Sequence, residues 1–183
     1  MHDSEFKRPL VIFSHGKESG PQGTKIKYLA KIAEARGAKV LSPDFSDLSD
    51  PDQRLRRLLA LELPPHDHLV LVGSSMGGYV STVASRSLKP AGLFLLAPAF
   101  YMLGYEHQDP EPASATTVVV IGWNDQVVPV RKVIGFAERF RTDLHVVDSD
   151  HRLNDALGQI GAIFDGFLSR SLSSATQLGN HGD

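Results

Sequence analysis

The 183-residue sequence contains no cysteine, no excess of basic residues and no long apolar run. Without cysteine, the chain cannot form disulfide bonds or thiolate metal sites, and its composition fits a reducing compartment. It carries 19 basic and 21 acidic side chains, so the formal net charge is −2. Nucleic-acid-binding domains usually have a basic excess. The composition therefore predicts no nucleic-acid partner.

The first apolar run, at residues 10–13, is too short to be a signal peptide or a membrane span. We therefore expect a cytoplasmic protein with no membrane span. A chain of this length buries roughly 70% of its unfolded surface when it folds as one domain. The sequence predicts a single domain over residues 1–170 and a disordered tail at residues 171–183, where small and polar side chains dominate.

Short apolar segments typical of buried strands alternate with segments of helical periodicity along the chain. The predicted strands cover residues 9–14, 38–45, 68–72, 91–97, 116–122 and 143–147. A helical pattern follows five of them; after the fourth strand, residues 101–115 read as a loop or one short helical turn. This alternation predicts an open, mostly parallel sheet of six strands with helices on both faces.

The helix that begins near Pro51 carries a cluster of arginines. Leucines at nearby positions are expected to form its buried face: Leu55, Leu58 and Leu59. The same pattern predicts that Arg54, Arg56 and Arg57 form the solvated face of this helix.

Residues 73–77 read Gly-Ser-Ser-Met-Gly and match G-x-S-x-G in one frame only, with Ser75 as the central serine. The motif follows a continuous apolar strand and precedes a helical pattern, which is the context of a nucleophile elbow. In such an elbow the serine backbone is strained, and the flanking glycines avoid crowding between strand and helix. An ordinary Gly/Ser-rich turn is the alternative interpretation of the pentapeptide.

Two further polar residues stand just beyond the ends of predicted strands: Asp125 after the fifth and His151 after the sixth. Ligands of parallel sheets bind beyond the carboxyl ends of the strands, so both residues are expected on the same edge as Ser75. The chain order serine, aspartate, histidine is that of the α/β-hydrolases. Ser75 is the predicted nucleophile, His151 the base and Asp125 the acid that orients it.

Other acids compete with Asp125 for this role. Asp148 and Asp150 also precede His151, although an immediate neighbour is badly placed to hold the imidazole ring. Asp125 itself has an alternative interpretation as the cap of the helix that follows.

The backbone N–H of Met76, directly after the serine, is one expected donor to an oxyanion. The second donor is expected from the loop after the first strand, at Gly16 or Lys17. His15 in that loop is expected to pack and shape it rather than to act as a base.

Residues 101–115 are too few for a helical cap over the site. Tyr101, Met102 and Tyr105 are expected to form one shallow apolar side of the substrate pocket, with Trp123 nearby, and the substrate is expected to contact Tyr101, Met102 and Trp123. His66 and His68 have His-x-His spacing, but they lie at the opposite edge of the sheet with no further ligands nearby, so no metal site is expected.

Five segments together resemble those of small cap-less bacterial α/β-hydrolases similar to the YqiA-type esterases. They are SHGKESGPQGTK, GSSMGGYVSTVAS, LFLLAPAF, GWNDQVVP and SDHRL, and the resemblance extends to about Leu168. In two places the chain departs from that pattern. Lys17 stands where many such enzymes carry an aromatic residue, and residues 148–150 stand where glycine or asparagine is common.

The resemblance implies a minimal α/β-hydrolase fold without a cap domain. It also implies a serine hydrolase that cleaves small-molecule esters or thioesters without a cofactor or a metal, and the missing cap favours short acyl groups. The alternative is a non-catalytic protein of the same fold that binds a small molecule or a protein. The oligomeric state leaves no trace in the sequence.

Overall fold

The computed structural model describes residues 7–173, which form six strands and five α-helices; an α-helix follows every strand except β4, the fourth. The strands are β1 (Arg8–Ser14), β2 (Lys39–Leu41), β3 (His66–Ser74), β4 (Gly92–Leu96), β5 (Thr116–Gly122) and β6 (Asp143–Val147). The helices are α1 (Thr24–Ala35), α2 (Pro51–Leu59), α3 (Met76–Leu88), α4 (Val130–Phe140) and α5 (Leu157–Ser173). A short 3₁₀ turn, Asn154–Ala156, precedes α5.

All strands are parallel and lie in the order β2-β1-β3-β4-β5-β6. The predicted six-stranded sheet is therefore confirmed. The chain moves from β1 outward to β2, then returns past β1 to β3 and continues in that direction. Because such crossovers are right-handed, this reversal puts α1 on the opposite face of the sheet from α2, α3 and α4. In open parallel sheets, ligands bind at such a point of reversal, which here lies between the carboxyl ends of β1 and β3.

The central strands are apolar along most of their length because both of their faces are covered by helices. On one face, Phe164 and Phe167 of α5 pack against Phe94 of β4, with ring centroids 4.9 and 5.2 Å away. Elsewhere Phe136 of α4 stacks on Phe100 at 4.2 Å. The strands and both helix layers thus share one hydrophobic core.

The edge strand β2 is shorter than its predicted range of 38–45 and ends at Leu41. Pro43 has no N–H to donate to a sheet, and the chain bends away from β1 before it. Phe45 is nevertheless buried, and its N–H donates to Nε2 of His15 at 2.9 Å instead of to a strand. The apolar character of residues 38–45 reflects burial beside the sheet as well as strand pairing.

Asp50 caps α2: its Oδ1 accepts hydrogen bonds from the N–H groups of Asp52 and Gln53, both at 2.8 Å. Pro51 occupies the first position of the helix, where no N–H is needed. The predicted start of this helix agrees with the structure.

The prediction for one arginine of α2 is wrong. Arg54 is only 1% exposed, whereas Leu59, expected to be buried, is 39% exposed. The buried stripe of the helix consists of Pro51, Arg54, Leu55 and Leu58, which follow the i, i+3, i+4, i+7 spacing of one helix face. Arg54 therefore lies on the buried face by its position, despite its charge.

The last helix extends to Ser173, so residues 171–173, assigned to the tail from the sequence, are helical. Ser171 is buried, and its hydroxyl lies close to Gly92 of β4. The remainder of the predicted tail, residues 174–183, lies outside the described residues. Between residues 7 and 173, no helix is both long and apolar enough to cross a membrane.

Candidate active site

Ser75 occupies the sharp turn between β3 and α3. Its backbone has φ 53° and ψ −116°, a strained conformation for a residue with a side chain. The Ser75 N–H donates to the Leu96 carbonyl at 2.9 Å, and its own carbonyl accepts from the Ala99 N–H at 3.0 Å. These contacts hold the strained turn in place, so the hydroxyl stands at the carboxyl end of β3.

Two glycines allow strand and helix to approach each other at this turn. A Cβ at Gly73 would overlap the backbone of Gly77, and a Cβ at Gly77 would overlap the carbonyl of Ser14 in β1. Any side chain at either position would push α3 away from the sheet. The glycines therefore have the steric role that the pentapeptide predicts.

Three predicted site residues lie in one hydrogen-bonded chain. The Ser75 hydroxyl lies 3.0 Å from Nε2 of His151, and Nδ1 of His151 lies 2.7 Å from Oδ2 of Asp125. A charged carboxylate can only accept, so Nδ1 of His151 donates to Asp125; in the neutral form of the ring, Nε2 then accepts from the serine hydroxyl. His151 is 21% exposed at the edge of a cavity, whereas the Asp125 side chain is fully buried.

Asp125 remains charged although it is buried. Burial by itself would raise the pKa of this carboxyl, but hydrogen bonds from His151 and from two backbone N–H groups lower it below its ordinary value. Those N–H groups belong to Val127 and Val128 and donate to Oδ1 at 2.8 and 2.7 Å. Both carboxylate oxygens are thus occupied, and the acid is fixed in orientation.

Hydrogen bonds between the loops after β5 and β6 bring Asp125 and His151 together. The Trp123 N–H donates to the Val147 carbonyl at 2.9 Å, and the Asn124 N–H donates to the Ser149 carbonyl at 3.0 Å. Gly122 lies directly beneath this second loop, where a Cβ would overlap the Ser149 carbonyl. Asp125 and His151, which are 26 positions apart in sequence, are therefore brought together by hydrogen bonds between the backbones of their loops.

The competing acids have other partners. Oδ1 of Asp150 accepts from the N–H groups of Arg152 and Leu153, at 2.8 and 3.2 Å, and so closes the turn after His151. Asp148 is exposed and accepts from the side chain of Asn124 at 3.1 Å. Between residues 7 and 173, Asp125 is the acid whose carboxylate is hydrogen-bonded to the His151 ring.

The predicted oxyanion donors lie around the serine. Gly16, Lys17 and Met76 all line the same cavity as Ser75, and a Cβ at Gly16 would lie 3.4 Å from the Cβ of Ser75. Within the described residues, the N–H groups of Lys17 and Met76 donate to no other protein atom. Both donors remain available to a ligand.

His15 is fully buried behind this loop. Its Nδ1 donates to the Gly16 carbonyl at 2.8 Å, and its Nε2 accepts from the Phe45 N–H at 2.9 Å. Burial lowers the pKa of His15, so the ring is neutral. The residue packs beneath the loop and shapes it, as expected from the sequence.

The cavity beside Ser75 has a volume of about 760 Å³. Met102 lines it as predicted, together with Tyr105, but Tyr101 and Trp123 do not. Tyr101 has a left-handed backbone, φ 55°, and its ring packs edge-on against Phe100. Trp123 is 60% exposed. The predictions that Tyr101 and Trp123 lie beside the substrate are therefore not supported by the cavity lining.

Lys25, at the start of α1, lines the cavity and was not predicted from the sequence. Its ammonium donates to the Arg152 carbonyl at 2.5 Å, and burial lowers its pKa. Lys25 lies in α1 rather than directly after a strand, so neither a motif nor its position in the sequence indicates that it lines the site.

Between residues 7 and 173, no group of three or more His, Asp or Glu side chains is arranged to hold a metal ion, and this includes the surroundings of His66 and His68.

The chain matches the uncharacterised protein family UPF0227 over residues 10–109. No curated protein matches it. Among solved structures, a candidate hydrolase of the alpha/beta superfamily from Xanthomonas campestris pv. campestris is 32% identical, with a TM-score of 0.80. The match covers 88% of this chain and 99% of that one.

Two more distant structures share the fold. A Xanthomonas campestris protein described as an alpha/beta serine hydrolase without a lid is 21% identical, with a TM-score of 0.69 over 93% of this chain and 85% of that one. A Pyrococcus furiosus esterase is 17% identical, with a TM-score of 0.73 over 90% of this chain and 83% of that one.

These similarities confirm the α/β-hydrolase fold without a cap and support a hydrolase. The matched residues 10–109 span more than half of the chain and include both the loop after β1 and the serine turn. With the 32% identity to the Xanthomonas campestris pv. campestris protein over nearly its whole length, they show that the chain belongs to the uncharacterised protein family UPF0227.

Proposed function

We propose that this protein is a serine hydrolase that cleaves short-acyl carboxylic esters or thioesters of small molecules. The observation that supports the proposal is the hydrogen-bonded chain from Ser75 through His151 to Asp125, beside an open cavity. Binding alone requires none of these three residues in this arrangement. A strained serine held against an imidazole that is itself oriented by a carboxylate is typical of covalent acyl transfer.

In the first step, the Ser75 oxygen attacks the substrate carbonyl carbon while its proton passes to Nε2 of His151. The C–O or C–S bond to the leaving group then breaks, and His151 returns the proton to the departing oxygen or sulfur. The acyl group remains on Ser75 as an ester. Asp125 accepts from Nδ1 throughout and stabilises the imidazolium that forms between the two proton transfers.

In the second step, water takes the place of the leaving group. His151 removes a proton from the water as its oxygen attacks the acyl carbon, and the same proton goes to Ser75 as the acyl–serine bond breaks. The products are a carboxylic acid and the free enzyme. No further reactant is needed for this sequence.

The negative charge that develops on the substrate carbonyl oxygen needs donors on the side away from His151. The Met76 N–H at the start of α3 is one donor, favoured also by the positive end of the helix. The Lys17 N–H, free of protein partners, is the second. Each such donor contributes a factor of roughly 10² to 10³ in kcat.

A fluorophosphonate probe tests the proposal, because it reacts covalently with activated serines. We expect stoichiometric labelling of Ser75 in the wild-type chain and none in Ser75→Ala, while the matched control Ser74→Ala is still labelled at Ser75. Intact-mass and peptide mass spectrometry identify the site. A folded wild-type chain that resists labelling would indicate the alternative, a non-catalytic member of the fold.

A further inference from the structure

The most unusual buried side chain near the site is Arg54 of α2. Its guanidinium donates from Nε to the Leu48 carbonyl at 2.7 Å and from Nη1 to the carbonyls of His15 and Gly16 at 3.1 and 3.2 Å. Within the described residues, no carboxylate forms an ion pair with it. Burying a charge without a counter-charge is costly, so an arginine at this position needs an explanation beyond packing.

The carbonyls that Arg54 holds belong to the loop that carries a proposed oxyanion donor. The Gly16 carbonyl and the Lys17 N–H are parts of one planar trans peptide, so they point in opposite directions. Arg54 binds the carbonyl from the α2 side. The Lys17 N–H therefore points away from α2, toward the cavity that Lys17, Ser75 and Met76 line together.

The Gly16 carbonyl has two buried donors, because Nδ1 of His15 also binds it, at 2.8 Å. A rotation of this peptide would leave the buried Nδ1 of His15 without its acceptor and Arg54 with only the carbonyls of His15 and Leu48, which is disfavoured. A positive charge at the carbonyl also polarises the peptide and makes its N–H a better donor. Arg54 thus fixes both the direction and the strength of the Lys17 N–H.

We propose that Arg54 is a positioning residue that orients the Lys17 N–H as an oxyanion donor. This inference rests on the proposed hydrolase function, since an oxyanion forms only during acyl transfer. Arg54 is not expected to touch the substrate. It acts through the peptide between Gly16 and Lys17.

The test compares Arg54→Met and Arg54→Lys with the matched control Arg56→Met, an exposed arginine of the same helix. Active sites are first counted by fluorophosphonate labelling, and folding is checked by thermal unfolding. Per labelled site, we expect Arg54→Met to lower kcat for p-nitrophenyl acetate by between about tenfold and a hundredfold, with KM within about threefold of wild type. The kcat of Arg54→Lys, which keeps the charge but has a single ammonium, should lie between those of Arg54→Met and the wild type. Arg56→Met should match wild type.

A trifluoromethyl ketone separates this role from a merely structural one, because it forms a tetrahedral oxyanion on the serine. Its affinity should fall by the same factor as kcat/KM in the Arg54 variants. Folded Arg54 variants with wild-type kcat and ketone affinity, or with a change in KM alone, would overturn the proposal. A wild-type chain that is neither labelled nor active would instead refute the proposed function.

A measurement on the wild-type protein covers the case in which the variants do not fold. On binding the ketone, the amide proton resonance of Lys17 should move strongly downfield and become protected from exchange. If the Gly16 amide responds and that of Lys17 does not, the assignment of the donor, and with it the role of Arg54, is wrong.

Discussion

The Tyr79 hydroxyl of α3 donates a hydrogen bond of 2.7 Å to Oδ1 of Asp52 in α2. The other oxygen of Asp52 accepts from the Glu106 N–H at 3.1 Å, and the His107 N–H donates to the Tyr79 hydroxyl at 3.0 Å. The Tyr105 ring lies 4.6 Å from that of Tyr79. The loop at residues 101–115, which takes the place of a lid, is thus attached to α2 and α3 through the buried pair of Asp52 and Tyr79.

Replacement of Tyr79 by phenylalanine should destabilise the protein by about 1–3 kcal/mol, because a buried carboxylate oxygen loses its donor and the His107 N–H loses its acceptor. Urea denaturation measures the change. Tyr28→Phe, at a tyrosine that is 38% exposed, is the matched control and should have little effect. Equal denaturation midpoints for the two variants would show that the buried pair does not stabilise the fold.

Asp125→Asn should lower kcat by a factor of about 10⁴, because an amide can donate to Nδ1 and so favours the wrong tautomer of His151. Asp148→Asn and Asp150→Asn are the controls and should reduce kcat by less than about tenfold, since neither side chain is hydrogen-bonded to the ring. Steady-state kinetics on p-nitrophenyl acetate measures all three. An Asp150 variant as inactive as the Asp125 variant would reassign the acid.

The positions of the proposed catalytic residues could be predicted because they depend on topology. The carboxyl ends of parallel strands share one edge of the sheet, so residues placed just after β3, β5 and β6 must lie near one another. Ser75 could be assigned within its pentapeptide because only one frame has glycines on both sides. His151 and Asp125 could be assigned by chain order, and the structure brings the three side chains into contact.

The cavity lining and Arg54 could not be predicted in the same way. Side chains in loops point where the local backbone turns them, and the left-handed φ of Tyr101 leaves no signal in its sequence neighbours. The spacing of Arg54 along α2 puts it on the apolar stripe and so indicates burial, but a charged residue is ordinarily expected in solvent. Its partners, the carbonyls of His15, Gly16 and Leu48, come together only in the folded chain.

The activity should rise with pH, because a general base must be free of its proton before it can accept the one on Ser75. His151 must lose its proton before it can act as a base, whereas the carboxylate of Asp125 is already charged, because its hydrogen bonds lower its pKa despite burial. The stability contributed by that lowered pKa is present above the ordinary value for aspartate, about 3.9, and is lost as the pH falls through the folded value. A profile of kcat/KM against pH checks the predicted rise in activity. A rate that falls as the pH rises would contradict His151 as the base.

Short acyl chains should be preferred. Residues 101–115 form no helix or strand that could cover a long chain, and each CH₂ group left in water forgoes about 0.8 kcal/mol of binding. We expect kcat/KM to be highest for p-nitrophenyl esters of about two to six carbons, with no activation at a lipid interface, since there is no lid to open. A series from acetate to palmitate measures this. A maximum among the longest chains would reveal an acyl-binding tunnel.

If Ser75 is the nucleophile, it carries the acyl group between the two steps, and trapping of the acyl-enzyme identifies the residue that holds it. The protein is mixed with p-nitrophenyl acetate, quenched in acid within the first turnover, and analysed by intact-mass and peptide mass spectrometry. We expect a burst of p-nitrophenol and one acetyl group on Ser75, with both absent in Ser75→Ala and both retained in Ser74→Ala. An acetyl group on Ser74, or p-nitrophenol release by Ser75→Ala at the wild-type rate, would contradict Ser75 as the nucleophile.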